Sequence, residues 1–286
     1  MNVVHLIAPK DKTKWDIIWV RCYESWKKKY DVVLWNDNED LDNFIREHYI
    51  QHYNFFSRLP YQIMKLDFAR LCILHKFGGI YADMDVYCYD NIDAFLNYEL
   101  KVVKNDIHEF TDAEFENFLM YSVPNSKLLE KIISYCKRLF FLNFSKFDNK
   151  QSITNRNAYD SFLINNTTGS GMISSAINNF RYNKKYLELP SNIFNNRPAS
   201  YDTNFLCKHL HTNIWNNESL DISKDVFYLY RGVLFNTPSN KESKIINKQD
   251  FDFFTDYTNG NFLFTDNTMS LNELIQDTYN EYFSNS

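Results

Sequence analysis

Lys65-Leu-Asp67-Phe-Ala-Arg70 and, just downstream, Phe77-Gly-Gly-Ile-Tyr-Ala-Asp83-Met-Asp85 carry the reading of this chain. Pro60 suits the first turn of a helix, and Ile63, Leu66, Ala69, Ile73, Leu74 and Phe77 follow at three-to-four spacing until Gly78. Asp67 and Arg70, three apart, share one face of that helix, expected to be distinct from the apolar stripe. Gly78 can take the left-handed conformation that stops a helix, and Gly79 lets the backbone turn tightly into a strand expected over residues 80–86. Alternation past Met84 then predicts that Asp83 and Asp85 point to one side, at the C-terminal end of a parallel strand. Ligands of α/β sheets bind there. A carboxylate pair suits a divalent cation of the Mg²⁺ or Mn²⁺ kind, which takes oxygen ligands and leaves positions for substrate phosphates.

Working outward, the chain alternates strand-like and helix-like patterns. Residues 2–8 form an apolar run ended by Pro9; Trp15, Ile18, Trp19, Cys22 and Trp26 fall at helical spacing; residues 31–35 read as a second strand and 41–49 as a helix. Strand, helix, strand, helix, strand predicts an α/β domain with a mainly parallel central sheet. Further strands are expected over 100–103, 118–123, 186–189, 205–211 and 226–230, and helices over 126–141, from Met172, and from Ser270. The texture changes to short aromatic pieces after Trp215, so residues 1–215 are read as the catalytic domain and 216–286 as a C-terminal appendage.

Composition narrows the function classes. The 286 residues are 44% hydrophobic and 23% charged, enough for a packed core, and the net charge of −5 comes with scattered basic residues, so nucleic acid is not an expected partner. Five cysteines without a Cys-x-x-Cys read as free thiols. No apolar run is long enough to span a membrane and the N-terminus lacks an export pattern, which gives the expectation of no transmembrane segment and a cytoplasmic protein, bacterial or virus-encoded. The chain has only six glycines, and four of them cluster, Gly78 with Gly79 and Gly169 with Gly171. A calcium loop counted from Asp83 needs glycine at its sixth position and glutamate at its twelfth, where this chain has Cys88 and Ala94. An aspartyl-phosphate phosphatase motif would put threonine where Tyr87 stands. A solvated surface pair remains the plain alternative for the two aspartates.

The run from Asp67 to Asp85 resembles the sugar-binding region of family 32 glycosyltransferases, whose pattern is roughly Ser-Asp-x-x-Arg followed by Gly-Gly-Ile-Tyr-x-Asp-x-Asp. The resemblance implies a GT-A-type fold, a nucleotide-sugar donor, a bound Mn²⁺ or Mg²⁺ and retention of anomeric configuration. Asp83 and Asp85 match the metal and diphosphate motif. Asp67 and Arg70 match the pair that holds the donor's ribose or sugar, and Tyr81 with Ala82 would lie against the nucleotide. The family's serine and second aromatic are Leu66 and Leu71 here. Thr167-Thr168-Gly169-Ser170-Gly171 stands where the family has an acceptor-facing Thr-Gly-Pro loop, its proline replaced by Ser170; an ordinary glycine-rich turn is the other reading. His209-Leu-His211-Thr-Asn-Ile-Trp215 resembles a late segment in which a histidine completes the metal shell and the tryptophan covers the donor, so His209 or His211 is a candidate ligand. Leu6 and Ala8, ending the first strand, stand where the family cradles the base with backbone groups. Trp35 would stack on that base or else belong to the core.

The expected function is therefore metal-dependent transfer of a hexose (mannose, galactose, glucose or N-acetylhexosamine) from GDP-mannose or a UDP-hexose to a hydroxyl of a glycan or protein. Asp83, Asp85, Arg70 and Asp67 are the catalytic candidates. A metal-dependent nucleotide-sugar hydrolase and an inactive nucleotide-sugar-binding protein are the alternatives.

Overall fold

The computed structural model describes residues 2–15, 17–105, 113–148, 156–180, 183–194, 206–209, 227–230 and 233–236. The chain divides into two units, Met1–His209 and Leu210–Ser286, a few residues before the expected change at 215. In the second unit the described residues form an antiparallel hairpin of Phe227–Tyr230 and Val233–Asn236. The helix expected from Ser270 lies outside the described residues.

The first unit is built on a six-stranded sheet. Its strands are β1 (Val3–Ala8), β2 (Asp31–Asn36), β3 (Gly79–Ala82), β5 (Leu100–Lys104), β6 (Phe115–Ser122) and β7 (Glu188–Leu189), in the order β2-β1-β3-β6-β5-β7. β1 pairs in parallel with β2 and β3, and β5 with β7, while β6 runs antiparallel to both neighbours. The sheet is thus mixed, three pairings of five being parallel. Alternation along β1 sends Val4, Leu6 and Ala8 to one face and Ile7 to the other. The Ile7 face is covered by α2 (Glu39–His48), α3 (Ile50–Ser57), α4 (Gln62–Phe77), α5 (Lys127–Asp148), α6 (Arg156–Thr167) and α7 (Ser170–Asn179). The opposite face packs against α1 (Ile17–Lys27) and a separate two-stranded ribbon of β4 (Val86–Cys88) and β8 (Cys207–His209).

Several expectations are corrected. The strand expected over 80–86 breaks after Ala82: Asp83 to Asp85 make a turn, closed by the Val86 N–H on the Asp83 carbonyl at 3.1 Å, and β4 then joins β8 instead of the main sheet. Residues 184–187 form a short helical turn before the two-residue β7, where a four-residue strand was expected. α3 and α6 were not foreseen. α4 is buried nearly all round from Phe68 to Leu74, so Asp67 and Arg70 share the interior with its apolar stripe.

The two glycines before the turn are required by backbone geometry. Gly78 (φ 68°) caps α4, its N–H on the Leu74 carbonyl at 2.8 Å, and Gly79 follows at φ 87°. A Cβ on Gly79 would stand 2.5 Å from the Val3 carbonyl oxygen, so the close approach of β3 to β1 depends on its absence. β4 is held from below by α1: Trp26 Nε1 donates to the Val86 carbonyl (2.8 Å) and the Cys88 N–H donates to Ser25 Oγ (2.9 Å).

Candidate active site

Parallel pairing sets His5 of β1 beside Tyr81 of β3, so β3 ends before β1 does and the Asp83-Met84-Asp85 turn emerges at the C-terminal edge of the pair. Antiparallel β6 begins at that same edge, where the Phe118 carbonyl accepts the Asp83 N–H at 2.8 Å. From the other side, β8 pairs with β4 so that His209 lies opposite Val86. His209 Nε2 comes within 3.3 Å of Asp85 Oδ1, and its ring stacks on Phe118 with centroids 4.3 Å apart. One ligand atom each from Asp83, Asp85 and His209 lie within 4.8 Å of one another.

Behind this cluster stands a buried charge ladder. Arg70, 2% exposed, reaches Asp83 Oδ1 through Nη1 and Asp67 Oδ1 through Nη2, both at 3.1 Å, and Nη1 also donates to the Asn117 carbonyl at 2.9 Å. Asp67 accepts further hydrogen bonds from Asn117 Nδ2 and Thr168 Oγ1, each at 2.9 Å. Tyr81 closes the ladder, its hydroxyl donating to Asp83 Oδ1 at 2.6 Å and its ring lying 4.7 Å under the Arg70 guanidinium.

Burial is the largest influence on each of these groups. It pushes the Asp67 and Asp83 carboxyls above the ordinary carboxylate range, against the pull of Arg70. Burial also works against the charge on Arg70, but Asp83, Tyr81 and Asp67 outweigh it and hold the guanidinium firmly charged. On His209 burial opposes the imidazolium, and Asp85, then Asp83 and Glu116, reverse that and raise its pKa. Two carboxylates, Asp67 and Asp83, thus face one guanidinium, and Asp83 in turn converges with Asp85 and the His209 imidazole. Oxygen and nitrogen donors at this spacing fit a divalent cation of the Mn²⁺ or Mg²⁺ kind.

The remaining expected residues fall in different places. Thr168 joins the ladder directly, and Gly169 beside it is the N-cap of α7, so the 167–171 loop stands against Asp67. Tyr81 and Ala82, expected against the nucleotide, are buried; Tyr81 orients Asp83 and Arg70 instead. Leu6 and Ala8 point into the α1 face, and the Ala8 carbonyl accepts the Asp37 N–H at 3.1 Å. Trp35 is half-buried at the edge of the core: it packs on Phe44 and Phe77, and its Nε1 donates to His5 Nδ1 at 3.2 Å. His211 and Trp215 lie outside the described residues.

Sequence reasoning missed Asn117 and Glu116. Asn117 binds Asp67, Arg70 and Ser170 at once. The polar pair opening an otherwise apolar strand was visible, but its meaning depends on β6 running antiparallel to β3, which local pattern does not disclose.

Residues 18–102 match the sequence model of the glycosyltransferase sugar-binding region containing DXD motif. Inositol phosphoceramide mannosyltransferase 3 of Schizosaccharomyces pombe is 41% identical over 103 residues, which are 34% of this chain and 28% of that protein. This chain therefore spans little more than a quarter of that relative's length. An uncharacterized glycosyltransferase of Acanthamoeba polyphaga mimivirus is 28% identical over 228 residues, 68% of this chain and 79% of the viral protein. The solved structure titled PaToxG Glycosyltransferase overlaps 63% of this chain and 69% of its own, at 13% identity and a TM-score of 0.43. Asp67, Arg70 and both turn aspartates fall within the matched residues, whereas Glu116, Asn117, Thr168 and His209 lie beyond them. Over residues 18–102 this chain is similar to the glycosyltransferase sugar-binding region containing DXD motif, and Asp83-Met84-Asp85 is the Asp-x-Asp within that match.

Proposed function

We propose that the protein is a divalent-cation-dependent glycosyltransferase of GT-A type that moves a hexose from a nucleoside-diphosphate sugar to a hydroxyl acceptor. The observation that carries the reading is the convergence of Asp83, Asp85 and His209 at the strand edge, backed by Arg70. A cation held by those three side chains would supply Lewis-acid stabilisation of the charge that gathers on the departing diphosphate. Arg70 adds a fixed positive group already oriented by Asp67, Asn117 and Tyr81, so no reorganisation is required as charge develops. Asp67 also fixes Thr168, coupling the donor side to the 167–171 loop on which an acceptor would rest.

Among hexoses the names of the fungal relatives favour mannose, and so GDP-mannose as donor. Retention fits a same-face displacement assisted by the departing diphosphate, with Asp67 enclosed by its partners and the turn aspartates facing the site a cation would take.

The test is transfer from GDP-mannose and UDP-hexoses to saccharide and lipid-linked hydroxyls with Mn²⁺, read as coupled release of nucleoside diphosphate and glycosylated product. Chelator abolishes both, and Asp85→Asn lowers transfer at least about a hundredfold. Full-rate release of free sugar without acceptor would identify a hydrolase, and donor binding without turnover an inactive binder. An inverted product anomer would remove the retention proposal.

A further inference from the structure

Glu116 lies outside the matched sugar-binding region and outside the charge ladder, yet it is the second residue of the strand that borders both. Two residues on, Phe118 stacks on His209 and its carbonyl takes the Asp83 N–H. Glu116 is half-buried. Its Oε2 accepts from Ser170 Oγ at 2.7 Å and its Oε1 from Asn105 Nδ2 at 3.1 Å. Both donors are neutral.

Four neighbouring carboxylates pair with Arg or Lys: Asp67 and Asp83 with Arg70, Glu114 with Lys184, Glu188 with Lys104. Among the described residues no Lys or Arg forms an ion pair with Glu116, whose charge reaches His209 from beyond salt-bridge distance. A carboxylate offers about four lone-pair directions, and two neutral hydrogen bonds leave both its charge and part of that capacity for a ligand. The same charge repels a diphosphate and attracts hydroxyl groups, with which it makes the stronger, charge-assisted kind of hydrogen bond. Glu116 is bonded to Ser170 at the start of α7 and lies near enough to the cation cluster, where a diphosphate would sit, for its charge to act on His209. The part of a sugar nucleotide suited to that position is its sugar.

We infer that Glu116, held by Ser170 and Asn105, accepts hydrogen bonds from hydroxyls of the transferred hexose and helps determine which hexose is moved. This rests on the function proposed above.

The experiment is calorimetric titration, in Mn²⁺, of wild type, Glu116→Gln and Ser170→Ala with GDP, GDP-mannose, UDP and UDP-glucose. Glu116→Gln is expected to leave affinity for the preferred bare nucleoside diphosphate within about threefold while weakening its sugar nucleotide about tenfold or more. Ser170→Ala should weaken the sugar nucleotide selectively but less. A purely structural Glu116 would lower both affinities together, or neither, and either result overturns the inference while leaving the function intact. A wild-type chain that binds none of the four ligands removes the proposed function, and this inference with it.

Discussion

Asp67 shows how one side chain can serve a site without facing substrate. It is 4% exposed, and its two oxygens are shared among Arg70, Asn117 and Thr168. Asp67→Ala would leave the Arg70 charge partly unmatched in the interior, an error that typically costs about 3–5 kcal/mol. The urea midpoint should fall accordingly, and Asp67→Asn, which keeps the shape, should lose less. The spacing of Asp67 and Arg70 was legible in the sequence; their depth was not, because helical periodicity cannot distinguish a polar face in water from one closed over by another strand. His5 is a second residue whose setting matters. Buried against the Gly78 carbonyl, it is pulled down to a pKa of about 4 by burial, which outweighs that hydrogen bond. An unfolded chain binds a proton there near pH 6.5, and the folded chain does so only near 4, so the unfolded state binds more protons in between. Stability should therefore fall as pH drops from 6.5 to 4, by about 3 kcal/mol from this group. Denaturation midpoints of wild type and His5→Gln measured across that range should differ in slope, the variant being flatter.

At the scale of elements, the junction of α4 and β3 places the chemistry. Gly79→Ala would put a methyl 2.5 Å from the Val3 carbonyl at a left-handed φ, and is expected to cost at least about 2 kcal/mol. Its thermal midpoint should drop well below that of Gly171→Ala, where the nearest atom is the movable Asn166 side chain. The helix, its glycine stop and the following strand were readable because each has a local cause. The break after Ala82 was not, because alternation continues unaltered through Asp83, Met84 and Asp85. What ends β3 is the competing attachment of β4, through Trp26, Ser25 and β8, to another layer. Likewise α3 and α6 are stabilised by the core they cover more than by strong signals of their own.

At the scale of the whole molecule, the cation cluster joins parts that the sequence keeps far apart. Mn²⁺ at 100 times its dissociation constant should raise stability by about 2.7 kcal/mol, and the melting temperature by roughly 5–10 °C. Differential scanning fluorimetry should find that rise in wild type and not in Asp85→Asn. The described residues contain no helix long and apolar enough to cross a membrane. The α/β class was legible from the alternation of elements, whereas the reversal of β6 was not, since strand direction depends on long-range pairing.

The β4–β8 ribbon also orders events in time. Asp85 and His209 are separated by roughly 120 residues, so closing the ribbon is among the costliest chain closures in the fold. A growing chain carries both turn aspartates long before it carries β8. Until β8 docks, the turn aspartates stand without the His209 imidazole, and on the function proposed above a full grip on a cation marks closure of the first unit.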